Sequence, residues 1–546
     1  MKKFSNSFVL CLILLTSCKA QESGVAEVAT NKLPQLATAC RVWGLLKYYG
    51  PLPSSGETDW DEVLINYEPE LTSDLTNDKL NEIIYKMICD AGVQYPNPIN
   101  SNNDTLFSWI HTDTLLNAKN KELLIGCINR KNENMSFYAI SRRAKDKGYE
   151  LIREKSYPDE YPSRAHRLIA FYRYWNVINY LYPYKDGLDW PSVMDSCLIP
   201  ILNAKNAEEY QLRTLNLCNR IMDSHSSTYS PFIYKYFGRA RLPIAVAYCD
   251  SQTIIIWRDS NQQALSRFPR GTIIDSINGV PINKIRSYWA QYVQYSNDAY
   301  LQYSINSILT LGKNGDSALL SIHYKDISAN VYVKYDTARD YRDPSHDTIQ
   351  KFEFINGKSI GYVRLPMVTS EEFDSIFALF RDTKGLILDM RGYPQWILDK
   401  ASSYLMDSTA FALFKIPVLS HPGKFNDIIR KAGGSRRYFG KVVILVSIST
   451  MSQAEFTCMA LRQIPNSTII GSQTAGADGD VSILELPGLI RTRYSGLGVY
   501  YPNGTPTQRI GIVPDIPVTY SYDDYLDARN VIFKKALEYL EKQIKG

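Results

Sequence analysis

Along this chain the period of the apolar positions changes several times, and each change marks a different kind of element. From Leu36, the stretch LATACRVWGLLKYYGP places apolar residues three and four apart, the spacing of an amphipathic helix, and ends near a proline. The pattern returns as LIAFYRYWNVINYLYP, with Arg41 matched by Arg173, Trp43 by Trp175, Tyr48 by Tyr180 and Pro51 by Pro183. Each copy is followed by Asp-Trp and a valine (Asp59-Trp60 and Val63; Asp189-Trp190 and Val193). Two copies are too few for a solenoid, so the repeat predicts duplicated helical lobes. They close differently: the first on Asp90-Ala91-Gly92, the second on Asp223-Ser224-His225-Ser226-Ser227.

Beyond residue 239 the period shortens. Leu242-Pro243-Ile244, the run Ile254-Ile255-Ile256, and residues 271–282 with Asn278-Gly279 between apolar runs predict a small β-module built on a tight turn. From Ile360 to Ile516 short apolar runs alternate with helical spacing: a strand at residues 360–364, a helix at 371–380 and a buried strand from 385 that ends in Asp389-Met390-Arg391-Gly392. This alternation predicts an α/β layer with a mostly parallel sheet. Residues 521–545, with Ala528, Val531, Ile532, Leu537 and Leu540 apolar, read as one closing helix.

The segment KVVILVSISTMSQAEFTCMALRQIPNSTIIGSQTAGADGD, residues 441–480, holds the densest chemistry. An apolar run (442–446) gives way to a polar cluster (447–453), then to Ala454, Phe456, Met459, Ala460 and Leu461 at helical spacing, then to a second apolar run (468–470). The order is strand, sharp polar turn, helix, strand. Such a turn presents one side chain beside a helix N-terminus, whose free N–H groups can hold an anion. Ser452 is the candidate nucleophile.

Ser452-Gln453-Ala454-Glu455, followed by Ile470-Gly471-Ser472-Gln473-Thr474-Ala475-Gly476, resembles the active-site segment of the carboxy-terminal-processing and tricorn-like serine peptidases. In the processing branch a catalytic lysine follows the second strand, and that position here is Ala477. The resemblance is therefore to the tricorn-like branch, which pairs its serine with an upstream histidine. Asp223-Ser224-His225 resembles that branch's helix-ending histidine segment, implying His225 as the base. The matching supports of the ring are Ser224 and Gln508, the latter standing where the branch has a glutamate. The run Asp389-Met390-Arg391-Gly392-Tyr393-Pro394 resembles the family's Asp-x-Arg-Gly-Asn segment, with Tyr393 in the Asn position and Gln395-Trp396 in place of glycines. It implies an oxyanion hole from backbone N–H groups of Gly392 or Tyr393 and of Gln453. Residues 239–336 resemble a PDZ domain, which would take an extended peptide as an added strand.

As a whole the resemblance implies an α/β crotonase-like (ClpP/crotonase-type) peptidase core over 346–546, a PDZ-like β domain over 238–345, and N-terminal helical lobes over 19–150 and 151–237. Two functions stay open. One is a serine peptidase acting on peptide or protein substrates; the other is a peptide-binding lipoprotein whose site has decayed.

Composition narrows the setting. At 546 residues the chain exceeds the roughly 250–300 at which single cores stop growing, so several domains are expected. With 45% hydrophobic and 21% charged residues it is a folded chain, and a formal charge of +5 without any basic run excludes a nucleic-acid partner. Residues 1–18 have a basic start, an apolar stretch and the ending Leu15-Thr16-Ser17-Cys18, which resembles a bacterial lipobox. It implies a lipidated Cys18, a membrane anchor and a place in the cell envelope. No later stretch reaches the ~20 apolar residues of a spanning helix. The seven cysteines after Cys18 are irregularly spaced and lack any C-x-x-C, so neither a disulfide framework nor a metal site is expected, and no cofactor. Oligomeric state is open.

Overall fold

The computed structural model describes residues 26–94, 105–129, 137–141, 149–151, 153–337, 350–527 and 530–545. The element that positions the site is a six-stranded sheet in the order Phe352–Ile355, Ile360–Arg364, Gly385–Asp389, Lys441–Val446, Ser467–Gly471, Ile516–Pro517. The first pair is antiparallel and the remaining four are parallel. Gly385–Asp389 is buried throughout, and Lys441–Val446 beyond its first residue, which is why both read as unbroken aliphatic runs. One face packs on Ser370–Phe380, Leu398–Leu405 and Gln453–Leu461 through Phe373, Phe377, Ala401, Leu405 and Met459. The other face carries Ile532, Ala536 and Leu540 of the last helix.

That last helix corrects an expectation. Instead of one helix over 521–545, the chain forms Tyr522–Leu526, opened by a Ser521/Asp524 capping box, and then Val531–Lys545. The Asn530 side chain accepts from the Phe533 N–H at 3.3 Å, so a second N-cap restarts the helix there. Ala528 lies outside the described residues, as does the whole of 1–18 with Cys18.

The repeat corresponds to three matching helices in each lobe: Leu33–Tyr49, Trp60–Leu71 and Asn77–Asp90; then Arg164–Leu181, Ser192–Leu202 and Ala207–Asn219. The repeated tryptophans explain the repeat physically. Trp43 Nε1 donates to the Trp60 carbonyl (3.1 Å) and Trp60 Nε1 to the Trp43 carbonyl (2.9 Å). Trp175 and Trp190 make the same reciprocal exchange at 3.4 and 3.1 Å. Each pair satisfies two buried indole donors while locking the first helix of a lobe to the second. The lobes meet where Asn176 enters the first helix: its Nδ2 donates to the Cys40 carbonyl at 3.0 Å, and a Cβ on Gly44 would lie 1.8 Å from its Oδ1. Only glycine at 44 admits this approach.

Fully buried charges also join the lobes. Arg173 pairs with Asp61 (2.6 Å) and Glu154 (2.9 Å), Lys47 pairs with Glu154 (2.7 Å), and Arg173 donates to the Glu485 carbonyl at 2.7 Å. Glu485 belongs to a hairpin, Val481–Leu486 and Ile490–Ser495, that simple strand–helix alternation does not predict. Its second strand, in the middle of this three-stranded sheet, pairs with Ser227–Tyr229, the continuation of the second lobe, with Arg493 opposite Ser227.

Residues 240–335 gather around a separate core. Ile327–Lys334, Ser317–Tyr324, Thr272–Ile277, Gln252–Arg258 and Ile244–Cys249 form an antiparallel sheet in that order, with helices Ile282–Ala290 and Asp298–Leu309. Asn278 and Gly279 both take positive φ (49° and 78°), the left-handed pair that the Asn-Gly turn predicts.

Candidate active site

Ser452 sits at the turn between strand Lys441–Val446 and helix Gln453–Leu461, with φ 58° and ψ −125°. For a residue with a Cβ this conformation costs on the order of 1–3 kcal/mol and persists only where the surroundings impose it. Its N–H donates to the Ala477 carbonyl (2.9 Å) and to Glu455 Oε2 (3.2 Å). The side chain is half-buried at a helix N-terminus, where the Gln453 N–H, first in the helix, has no carbonyl one turn back.

His225 lies just past the end of the second lobe and is 5% exposed. Its Nδ1 meets the Ser495 hydroxyl at 3.0 Å. The Ser495 hydroxyl donates to Asp223 Oδ1 (3.2 Å), the Ser495 N–H to Asp223 Oδ2 (2.8 Å), and the His225 N–H to Asp223 Oδ1 (2.9 Å). Among the described residues no hydrogen bond engages Nε2. Burial, more than any nearby charge, holds the imidazole below its ordinary pKa; Asp223 opposes this and Arg493 adds to it. The ring is therefore neutral at pH 7, with one nitrogen held and the other available.

The same short segment, residues 474–477, is tied to both sides. The Ala477 carbonyl takes the Ser452 N–H, and the Ala475 carbonyl takes the hydroxyl of Ser224, the residue before His225, at 3.0 Å. Ser224 and Gln508 thus stand beside the histidine segment without meeting the ring. The Ser224 hydroxyl also accepts from the Ser296 N–H (2.8 Å), and Gln508 Nε2 donates to the Met222 carbonyl and the Ser296 hydroxyl, each at 3.3 Å. The ring-supporting places expected for these two are held by Ser495 and, behind it, Asp223. Asp223 is visible in the Asp-Ser-His run. Ser495 carries no sequence signal, because it is brought in from 270 residues away.

The second loop also differs from expectation at one atom. The Gly392 N–H donates to the Met390 carbonyl at 2.9 Å and so is turned away from an oxyanion. The Tyr393 N–H makes no hydrogen bond among the described residues, which leaves it and Gln453 N–H as the uncommitted donors. The loop is fixed by Arg391, which forks onto Asp389 (Nε 2.9 Å, Nη2 2.6 Å), and by the Thr450 hydroxyl, which donates to the Met390 carbonyl at 2.9 Å. Tyr393 and Trp396 stand 60% and 58% exposed beside it. Ala477 is fully buried, and no amine stands in the place of the processing-branch lysine. No group of three or more His, Cys, Asp or Glu side chains converges among the described residues.

Ser452 thus stands at a strand-to-helix turn of a largely parallel sheet, and the residue before His225 is tied to the segment that also holds the Ser452 N–H. Residues 359–518 match the model of Peptidase family S41. A carboxy-terminal-processing protease of Bartonella bacilliformis is 33% identical over 171 residues, covering 29% of this chain and 38% of that protein. The match thus spans well under half of the curated relative. Mature CPAF complexed with lactacystin shares the fold with TM-score 0.55 at 15% identity, covering 70% of this chain and 98% of that one. Mature CPAF in a second structure gives 0.53 at 14% identity, covering 70% and 97%.

Proposed function

We propose that this protein is a serine peptidase that hydrolyses peptide bonds in proteins or peptides, with Ser452 as nucleophile and His225 as base. The observation that carries the reading is that residues 475–477 hold both the N–H of a strained, half-buried serine and the hydroxyl of Ser224, next to an imidazole whose Nδ1 meets Ser495, itself bonded to Asp223. Ser452 Oγ attacks the substrate carbonyl and its proton passes to His225 Nε2. The Tyr393 and Gln453 N–H groups face the developing oxyanion, where one such donor is typically worth about 10²–10³ in kcat. Collapse of the adduct breaks the C–N bond, and His225 returns the proton to the leaving amine. Water, deprotonated by the same nitrogen, then releases the acyl group from Ser452.

Around this centre, the reading includes a crotonase-like core and a PDZ-like module at 238–345 that takes peptides as an added strand, supported by its antiparallel sheet and Asn-Gly turn. The N-terminal lobe, ending in Ala91-Gly92, supports the second lobe without a catalytic group. Acylation of Cys18 would anchor the chain at a membrane outside the cytoplasm, and Cys18→Ser should release it to the soluble fraction. Labelling with a fluorophosphonate probe tests the chemistry: the wild type is modified at Ser452, whereas Ser452→Ala and His225→Ala are not. Wild-type rates of labelling in His225→Ala, or absence of label at Ser452 in the wild type, would overturn the reading.

A further inference from the structure

We propose that Glu455 is the positioning residue of this site, an ionised carboxylate that clamps the nucleophile turn to residues 474–477 and so keeps Ser452 in register with His225. The inference rests on the peptidase reading above. Glu455 is fully buried, and its two oxygens accept four hydrogen bonds: Oε1 from the Thr474 hydroxyl and the Gly476 N–H (2.8 Å), Oε2 from the Ala477 N–H (3.1 Å) and the Ser452 N–H (3.2 Å). No cation pairs with it among the described residues. Three backbone N–H groups and one hydroxyl converge on its two oxygens, whereas an amide in its place would turn N–H groups of its own toward backbone donors.

Each partner of Glu455 leads to a different part of the centre. Ser452 is the nucleophile itself. Thr474 and Ala475 lead to the histidine side: the Ala475 carbonyl holds the Ser224 hydroxyl, and the Thr474 carbonyl takes Asn297 Nδ2 at 2.9 Å. The Thr474 hydroxyl accepts in turn from the Ile512 N–H at 2.7 Å, which fixes the strand exit. There Gly511 runs so close that a Cβ would lie 2.8 Å from Glu455 Oε1. The chain leaves room at 511 for this carboxylate.

Asp478, Cys458, Tyr300 and Tyr501 are its ionisable neighbours. Burial raises the Glu455 carboxyl to about 7 against the pull of its hydrogen bonds. Asp478, with one oxygen bonded to the Gly479 N–H and the other buried without a partner, is pushed well above the carboxylate range by burial and then by the Glu455 charge. Burial raises the Cys458 thiol and takes Tyr300 and Tyr501 to about 12. Arg462 is paired with Asp515 at 3.1 Å.

The test is the inactivation rate at saturating fluorophosphonate, measured against pH together with the half-saturation concentration. For the wild type the rate should rise through a transition near pH 7 as Glu455 ionises, above the transition of His225. Glu455→Gln should lose that upper transition and at least about tenfold in maximal rate, with half-saturation unchanged, as expected of a group that orients the nucleophile without touching the probe. Thr474→Val, which removes one donor and keeps the acid, should move the transition to higher pH and serves if Glu455→Gln does not fold. A wild-type rate in Glu455→Gln, or an unmoved transition in Thr474→Val, would overturn the assignment. A wild type that never labels at Ser452 would instead remove the peptidase reading itself.

Discussion

The Ser495 hydroxyl stands between an imidazole nitrogen and a buried carboxylate, so its removal separates orientation from proton transfer. Ser495→Ala should lower the labelling rate about ten- to a hundredfold, less than the ~10²–10⁴ attached to a general base, and Ser495→Thr should restore most of it. Gln508 is a different kind of group: its amide nitrogen faces the Met222 carbonyl and its oxygen is buried without a partner. Gln508→Glu would set a carboxylate against that carbonyl and should cost about 1–3 kcal/mol in urea unfolding, without raising the rate. Glu455 carries a cost of its own. Its folded pKa of about 7 lies above the ordinary glutamate value of 4.5, so its contribution to stability is full below about 4.5 and is lost as pH rises through about 7. Between those limits the wild type should lose roughly 3 kcal/mol more than Glu455→Gln. Equal pH slopes in urea unfolding of the two proteins would show that Glu455 is not the titrating group.

Elements were legible where a local pattern decides them. The tryptophan repeat announces both lobes because each pair is closed within about thirty residues by its own hydrogen bonds, and the nucleophile turn is visible because strand, polar cluster and helix follow directly on one another. The hairpin of 481–495 was not legible: VSILEL alternates buried and half-buried positions like any edge strand, and nothing in the second strand, Ile490–Ser495, says that its other neighbour is Ser227–Tyr229. Ser495 escapes for the same reason: the resemblance points to Ser224 and Gln508 as supports of the ring, and only the ladder with Ser227–Tyr229 brings Ser495 to it. The crossing of Leu33–Tyr49 with Arg164–Leu181 gives a test at this scale. Gly44→Ala should destabilise by about 1–3 kcal/mol through overpacking against Asn176. Asn176→Ala in the same chain should recover part of that loss, and strict additivity would argue against the contact.

In the whole molecule the buried Arg173 joins parts that a sequence reader keeps separate. It touches Asp61 of the first lobe, Glu154 between the lobes and the Glu485 carbonyl of the hairpin whose far end holds His225. Arg173→Met would leave two acids with only Lys47 between them and should cost about 3–5 kcal/mol. It should also slow labelling of Ser452, since the hairpin loses an anchor. The long reach of that hairpin has a further consequence, in time. A ribosome delivers His225 well before the strand that aims it, 270 residues later, and Ser452 precedes Ser495 as well. On the proposed reading, a nascent or truncated chain that stops short of residue 495 therefore holds Ser452 and His225 without the hydroxyl that orients the ring, and its labelling rate should fall at least as far as that of Ser495→Ala.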